Sequence, residues 1–283
     1  MITETRKQQE IDFHNMLRED APQQRWTVEE EDRLRENPLW SNFRYYSIER
    51  KSIDLVENFL QARVPGRRVL DYCCGNGDDT VKLAKMGAAQ VCGIDISDVG
   101  LDHGRNRARE EGVDNRAQFF LMDAENLDFP DNYFDVIKIY GCLHHLDLAK
   151  AYSELSRVLK PDGIAIATEA LGHNPIIHLY RKKTPHLRTP WEVDHLIKKH
   201  KLIQARGYFG EVKPTFFHLL TLGAVPLRRT RLFQPALRAL EALDAVLLKL
   251  PFIRYQAWQV VFTLSAPNKK STPATPAAAA SSC

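Results

Sequence analysis

The sequence has no long apolar run: nowhere do about 18 hydrophobic residues follow one another, so no membrane-spanning helix is expected. Cysteine is scarce, five in 283 residues at positions 73, 74, 92, 142 and 283, with no C-x-x-C pair and no disulfide-like spacing. Adjacent Cys73 and Cys74 are therefore expected to stay reduced, as in a cytosol. Neither sign of charge dominates. A formal net charge of +3 is too small for a chain that grips nucleic acid through its phosphates, so no nucleic-acid partner is expected. Residues 1–10 are polar and of mixed charge, unlike a secretory signal, which also favours a cytoplasmic setting. His173, His178, His186 and His195 are irregularly spaced, with no cysteine partner and no H-x-x-x-H helix, so no metal site is expected. There is no internal repeat. Hydrophobic residues nonetheless make up 44% of the chain, enough to bury a substantial core in one large domain with additions.

The chain is organised around Arg68-Val69-Leu70-Asp71-Tyr72-Cys73-Cys74-Gly75-Asn76-Gly77. Val69-Leu70 reads as the end of a buried strand and residues 78–86 as the helix that follows. A carboxylate, Asp71, ends the strand. Gly75 and Gly77 lie in the turn, where they permit positive φ and let a ligand approach the backbone without meeting a Cβ. The helix start behind them presents unpaired N–H groups and the positive end of a dipole. The turn is too short for a Walker loop, and no Gly-Lys-Ser/Thr follows. It is also an incomplete G-x-G-x-x-G, because Cys73 and Thr80 replace the first and third glycines.

A second apolar strand over 90–95 ends in Asp95, and Ser97-Asp98 opens another helix over 98–112. In a right-handed strand–helix–strand unit the two carboxyl ends share one sheet edge. Asp95 is thus placed to accept from both hydroxyls of a ligand's ribose. The run 117–122 ends in a third acid, Asp123, placed near a nucleobase. Three acids at one edge are hard to explain by packing, since desolvated carboxylates need partners. The alternation continues with strand 134–140, a helix over 147–159, strand 164–170, a helix over 191–200, strand six near 201–209 and a last strand over 258–264, as an α/β sheet requires.

Val-Leu-Asp-x-x-Cys-Gly-x-Gly (69–77), Gly-Ile-Asp-Ile-Ser (93–97), Asp-Ala-Glu-Asn-Leu-Asp-Phe-Pro-Asp-Asn-Tyr-Phe-Asp (123–135), Leu-His-His-Leu (143–146) and Leu-Lys-Pro-Asp-Gly-Ile (159–164) occur in this order. As a set they resemble the core of class I S-adenosylmethionine-dependent methyltransferases, in the small-molecule branch called type 11. The resemblance runs from Val69 to about Ala170. It implies a Rossmann-like seven-stranded sheet, mostly parallel with an antiparallel last strand and helices on both faces. It also implies S-adenosyl-L-methionine as cofactor, held by Asp71, Cys73, Gly75, Gly77, Asp95, Ile96, Asp123, Ala124 and Tyr140, and a small-molecule acceptor. In this family the segment before the core often folds over the cofactor, and Tyr45 and Tyr46 are the candidates for a pocket tyrosine. His144 and His145, after strand four, are the candidate catalytic residues, one as general base and the other capping or packing. Cys73 departs from the family's glycine. Its Cβ is tolerable if the backbone there stays extended.

The expected organisation is a helical and aromatic lid segment over 1–60, the cofactor-binding core over 61–213, a helical lid or substrate-binding insertion over 214–254, the last core strand over 255–266, and a disordered tail over 267–283 containing an exposed Cys283. Within the lid, residues 10–17 read as a short helix, 28–35 as a charged helix, 39–46 as an aromatic cluster and 47–60 as an amphipathic helix. In the insertion, Leu237, Leu240, Leu243 and Leu247 predict one apolar helical stripe. The stripe and Phe216-Phe217 suggest an apolar mouth for a lipophilic acceptor, with Arg228, Arg229 and Arg231 beside it for peripheral contact with an anionic membrane. Two alternatives stay open. One is a non-catalytic, cofactor-binding partner subunit, and the other is a nicotinamide-dependent oxidoreductase, which Asp95 would also suit. The sequence assigns no oligomeric state.

Overall fold

In a computed structural model, residues 2–19 and 43–269 are described. The expected helix over 28–35, the start of the aromatic cluster, most of the tail and Cys283 lie outside them. Helix α1 (Ile2–Glu19) is followed by a helical turn (Phe43–Tyr46) and α2 (Arg50–Gln61). The core then runs β1 (Arg68–Tyr72), α3 (Asp78–Lys85), β2 (Gln90–Asp95), α4 (Asp98–Glu110), β3 (Ala117–Leu121), β4 (Phe134–Tyr140), α5 (Leu148–Val158) and β5 (Leu159–Ala170). Short helices α6 (Pro175–Lys183), α7 (Pro190–His195) and α8 (Lys199–Gln204) precede β6 (Phe209–Phe217), α9 (Phe233–Leu247) and β7 (Gln259–Pro267).

The strands form one sheet in the order β3-β2-β1-β4-β5-β7-β6. Pairings from β3 through β5 are parallel, and β7 runs antiparallel to both β5 and β6. The strand order reverses between β1 and β4, the point where open α/β sheets bind ligands beyond their carboxyl ends. Both faces are covered, which is why β1 and β2 read as continuous apolar runs. Leu70, Tyr72 and Ile137 pack on one side with Tyr152 and Leu155 of α5. Val69 and Val91 pack on the other with Leu83 of α3 and Leu101 of α4. Among the described residues no helix is long and apolar enough to cross a membrane.

Several boundaries differ from expectation for local reasons. Helix α1 extends well past the expected 10–17. The Lys160-Pro161-Asp162-Gly163 turn is looped out of β5, between the pairs Phe134–Leu159 and Val136–Ile164. The helix expected over 191–200 is split, because Ile197, fully buried, is drawn into a bridge with Leu171. Strand six begins at Phe209 rather than near 201 and takes the first residues of the expected insertion. In α9 the inward face is Phe233, Leu237, Leu240, Asp244 and Leu248, while Leu243 is 52% exposed, so the expected leucine stripe is rotated. Asp244 sits on the inward face because it accepts from the backbone N–H groups of Leu219, Leu220 and Thr221 at 3.0, 2.7 and 3.3 Å. Buried amides without an acceptor would cost more than burying this carboxylate does.

One close approach sets the layer spacing over β3. A Cβ at Gly77 would lie 2.7 Å from the Cα of Gly104 in α4, and one at Gly104 would collide with the Phe119 ring. Helix propensity alone favours Gly104→Ala by about 1 kcal/mol, but overpacking costs about 1–3 kcal/mol. Sterics should win: Gly104→Ala is expected to lower the urea midpoint at unchanged m-value, and Phe119→Leu in that background to restore part of the loss. A raised midpoint would show that the gap is wider than this geometry gives.

Candidate active site

The first strand end is built from inside the sheet. Asp71, 1% exposed, accepts from Thr80 Oγ1 at 2.7 Å and faces Lys138 Nζ of β4 at 3.6 Å. Lys138 also pairs with Asp79 at the start of α3. Burial raises the Asp71 carboxyl above its ordinary value despite Lys138. Burial alone would lower Lys138, but the carboxylates of Asp71 and Asp79 outweigh it and hold the ammonium charged. Asp71 thereby anchors the turn from below. Gly75 and Gly77 adopt φ of 58° and 75°, left-handed values at which a side chain would be strained. Cys73 does too, at φ 60°, so the extended backbone expected for it is not what the chain adopts. A non-glycine residue held there costs about 1–2 kcal/mol.

At the second strand end, Asp95 Oδ2 accepts from the Gly75 N–H at 2.8 Å and Oδ1 from the Ser97 N–H at 2.9 Å. Ser97 in turn caps α4 by accepting from the Gly100 N–H at 3.1 Å. Arg18 of α1 donates to both Asp95 oxygens at 2.8 and 3.4 Å. Burial alone would raise the Asp95 pKa, but Arg18 and the backbone donors more than offset that and hold it below the usual range. The same helix lays Lys7 on Asp123 and Arg6 on the buried Glu125. Three cations of one helix thus meet three acids of two strand ends, and α1 straps the edge. Arg18 thus occupies the carboxylate expected from the sequence to accept from a ribose.

Beneath the strap lies a cavity of about 260 Å³. Of the residues anticipated for the cofactor, Cys73, Gly75, Asp95, Ile96, Asp123, Ala124 and Tyr140 line it. Asp71 and Gly77 lie behind this lining, holding the turn. Tyr45 and Tyr46 line a second, larger chamber of about 480 Å³ instead. The lid groups over the first cavity are Arg6, Lys7, Glu10, His14 and Arg18, which sequence reasoning missed. Their signal was present: positions 7, 10, 14 and 18 recur at helical spacing, so one face of α1 is wholly polar. Such a face reads as solvated until the helix is seen to turn it inward.

The two cavities share His14, Tyr140, Gly141 and His145, so they meet at the end of β4. Both expected histidines are there, each oriented by a carboxylate. His144, 6% exposed, donates from Nδ1 to Glu169 at 2.6 Å, because a carboxylate can only accept, and this leaves Nε2 with its lone pair. Glu169 also accepts from the Cys142 and Leu143 N–H groups at 2.9 and 2.7 Å. His145 Nδ1 lies 3.0 Å from Glu10 of α1. Burial followed by the neighbouring His145 lowers His144 below the ordinary value. Burial would lower His145 as well, but Glu10 outweighs it and raises that ring. Glu10 answers in kind: burial would raise it, yet its bonds with His14 and His145 hold it well below the carboxylate range. Glu10, His14 and His145, and likewise His144, His145 and Glu192, bring possible ligand atoms within 4.8 Å, a grouping the histidine spacing does not reveal.

A family model described as a methyltransferase domain matches residues 69–163. The ubiquinone/menaquinone biosynthesis C-methyltransferase UbiE of Vibrio campbellii is 41% identical over 108 residues, 37% of this chain and 42% of that protein. The protein of the same name from Ectopseudomonas mendocina is 42% identical over the same length and shares. The chain therefore spans less than half the length of these curated relatives. Among solved structures, Haemonchus contortus phosphoethanolamine N-methyltransferase 2, in complex with phosphomonomethylethanolamine and S-adenosylhomocysteine, is 20% identical with a TM-score of 0.56, covering 84% of this chain and 59% of that one. The geranyl diphosphate C-methyltransferase of Streptomyces coelicolor A3(2), 16% identical, aligns with a TM-score of 0.52 over 77% of this chain and 79% of that one. At these identities the structures establish the fold alone.

The geometry makes Asp95 the pivot of the first cavity. Replacing it by alanine removes a charge-assisted acceptor, a loss of about 1.5–3 kcal/mol. Calorimetry of Asp95→Ala should show S-adenosylhomocysteine binding weakened roughly tenfold or more. Unchanged affinity would remove Asp95 from the site.

Proposed function

We propose that this chain, with a class I methyltransferase domain at its centre, transfers the methyl group of S-adenosyl-L-methionine to a small, lipophilic acceptor. The observation that carries the reading is the pair of cavities meeting at His145 and Tyr140. One is lined by strand-end acids that suit a nucleoside, and the other by Phe13, Leu17, Tyr45, Ile177, Leu222 and Trp258, which suit an apolar body. The residues of the first cavity fit the cofactor. Asp95 would accept from the ribose hydroxyls, Asp123 and Ala124 would face the base, and the left-handed Gly75 keeps the turn free of a Cβ. When bound, the cofactor supplies the electrophilic methyl.

The chain's own work is to hold the acceptor in line and take its proton. His145 is our candidate base, since it borders both cavities and Glu10 orients it. His144, tied to Glu169, positions that wall.

A base works in its unprotonated form, so activity should rise with pH through the base's own pKa. For His145, raised by Glu10, the acid limb of kcat/KM should lie above pH 6.5, the ordinary histidine value. Glu10→Gln should move it downward, and His145→Ala should lower kcat by about 10²–10⁴ with cofactor affinity kept. A limb below 6.5 that ignores Glu10→Gln would transfer the role to His144.

Helix α9 presents Leu243 and Val246 outward, 52% and 63% exposed, with Leu250 and Phe252 beyond it at 47% and 89%. Exposed Arg231 and Lys249 lie at its two ends. We take this face as a peripheral contact with anionic lipid, which would bring a lipophilic acceptor close. Acceptors differing only in alkyl length should differ in kcat/KM, at about 0.8 kcal/mol per buried CH₂. Flotation with anionic liposomes should weaken at high salt and in Val246→Glu. Indifference to chain length together with absent flotation would leave α9 a lid and the acceptor small and polar.

A further inference from the structure

In the acceptor chamber two buried arginines share one carboxylate oxygen, and the chamber's other carboxylate is bonded elsewhere. Arg181, near the end of α6, and Arg188, just before α7, are each 8% exposed and line it. Both guanidiniums turn to one oxygen, Glu192 Oε1, at 2.6 Å for Arg181 Nη1 and 3.5 Å for Arg188 Nε. Arg188 Nη1 donates to the Thr184 carbonyl and hydroxyl, both at 2.7 Å and both uncharged. The other carboxylate lining the chamber, Glu169, is already engaged by two backbone amides and His144. A third guanidinium stands behind the wall. Arg44 lies 5.7 Å and Arg188 5.8 Å from the centre of the Tyr180 ring, and Tyr180 itself lines the chamber. A salt bridge meant only to join α6 to α7 would need one arginine for one glutamate. Burying a second arginine on a carboxylate already taken by the first is costly, and here burial and the neighbouring Arg181 depress the Arg188 pKa despite Glu192. Planar guanidinium forks at a cavity wall match an oxyanion in two-point geometry.

We propose that Arg181 and Arg188 form an oxyanion-binding subsite, so that the acceptor is an amphiphile whose carboxylate or phosphate docks on the two guanidiniums while its apolar body lies among the chamber's rings. This rests on the reading of that chamber as the acceptor site. It refines that reading, because the anion fixes how the acceptor lies in the chamber.

The test is direct binding, which needs no turnover. Octanoate, octyl phosphate, octanamide and octanol are titrated into the full chain at constant ionic strength, followed by calorimetry, and the same titrations are run on Arg181→Met and Arg188→Met. S-adenosylhomocysteine binding is measured on every protein. At least one anionic probe should bind about tenfold or more tighter than octanamide and octanol, the worth of one charge-assisted pair. Either methionine variant should lose that preference while still binding S-adenosylhomocysteine, and Arg188→Lys should keep part of it. Preference for octanoate over octyl phosphate would identify the group as a carboxylate, and the reverse as a phosphate. Equal binding of charged and uncharged probes, or a preference that survives both methionine variants, would overturn the subsite. Loss of S-adenosylhomocysteine binding by the unmodified chain would instead count against the methyltransferase reading, leaving the anion comparison to stand or fall separately.

Discussion

Carboxylates crowd one edge of this sheet, and much of the site follows from keeping them charged without leaving them unpaired. Asp71, Asp79, Asp95, Asp123 and Glu125 gather at the carboxyl ends of β1, β2 and β3 and the turns beside them. Like charges at such spacing raise one another's pKa, and desolvation adds to the cost. The chain answers from two directions. Lys138, buried on β4, neutralises Asp71 and Asp79 from below. Arg6, Lys7 and Arg18 close on the other three from above. Helix α1 is thus held over the edge by ion pairs more than by apolar packing, an arrangement a competing ligand can exchange piece by piece.

The same electrostatics divide the interior into two unlike spaces. Around the first cavity the walls are acids with their paired cations and a glycine turn with left-handed backbone. Around the second they are aromatic rings, aliphatic chains and buried arginines. The partition between them is the β4 end, where Tyr140, Gly141 and His145 border both. Glu169 and Glu10 fix the two histidine rings from opposite elements, one from the sheet and one from the strap. The proposed transfer of a methyl group from a charged nucleoside to an apolar acceptor would need such a boundary, with a proton acceptor standing in it.

The core was legible because its information is local. Val69-Leu70-Asp71 announces a buried strand ending in a carboxylate, Gly75 and Gly77 announce a turn with positive φ, and Ser97 announces a helix start. Asp95, Asp123, His144 and His145 could be placed at one sheet edge because parallel strand–helix–strand units have one handedness. The sequence by itself thus determined the strand–helix alternation of this half of the sheet and which residues stand at its strand ends. Only the tertiary structure decided what covers them. The polar face of α1 meets acids more than 75 residues away in the chain, and no periodicity tells whether a charged helical face meets water or a cavity. The same holds for Asp244, which turns α9 to satisfy three distant amides, and for Tyr45 and Tyr46, which face the chamber next to the one expected. Local backbone preference is written residue by residue. Pairing of buried charges across the chain is settled by whichever partners the packed sheet brings within reach, because desolvation penalises every unpaired alternative.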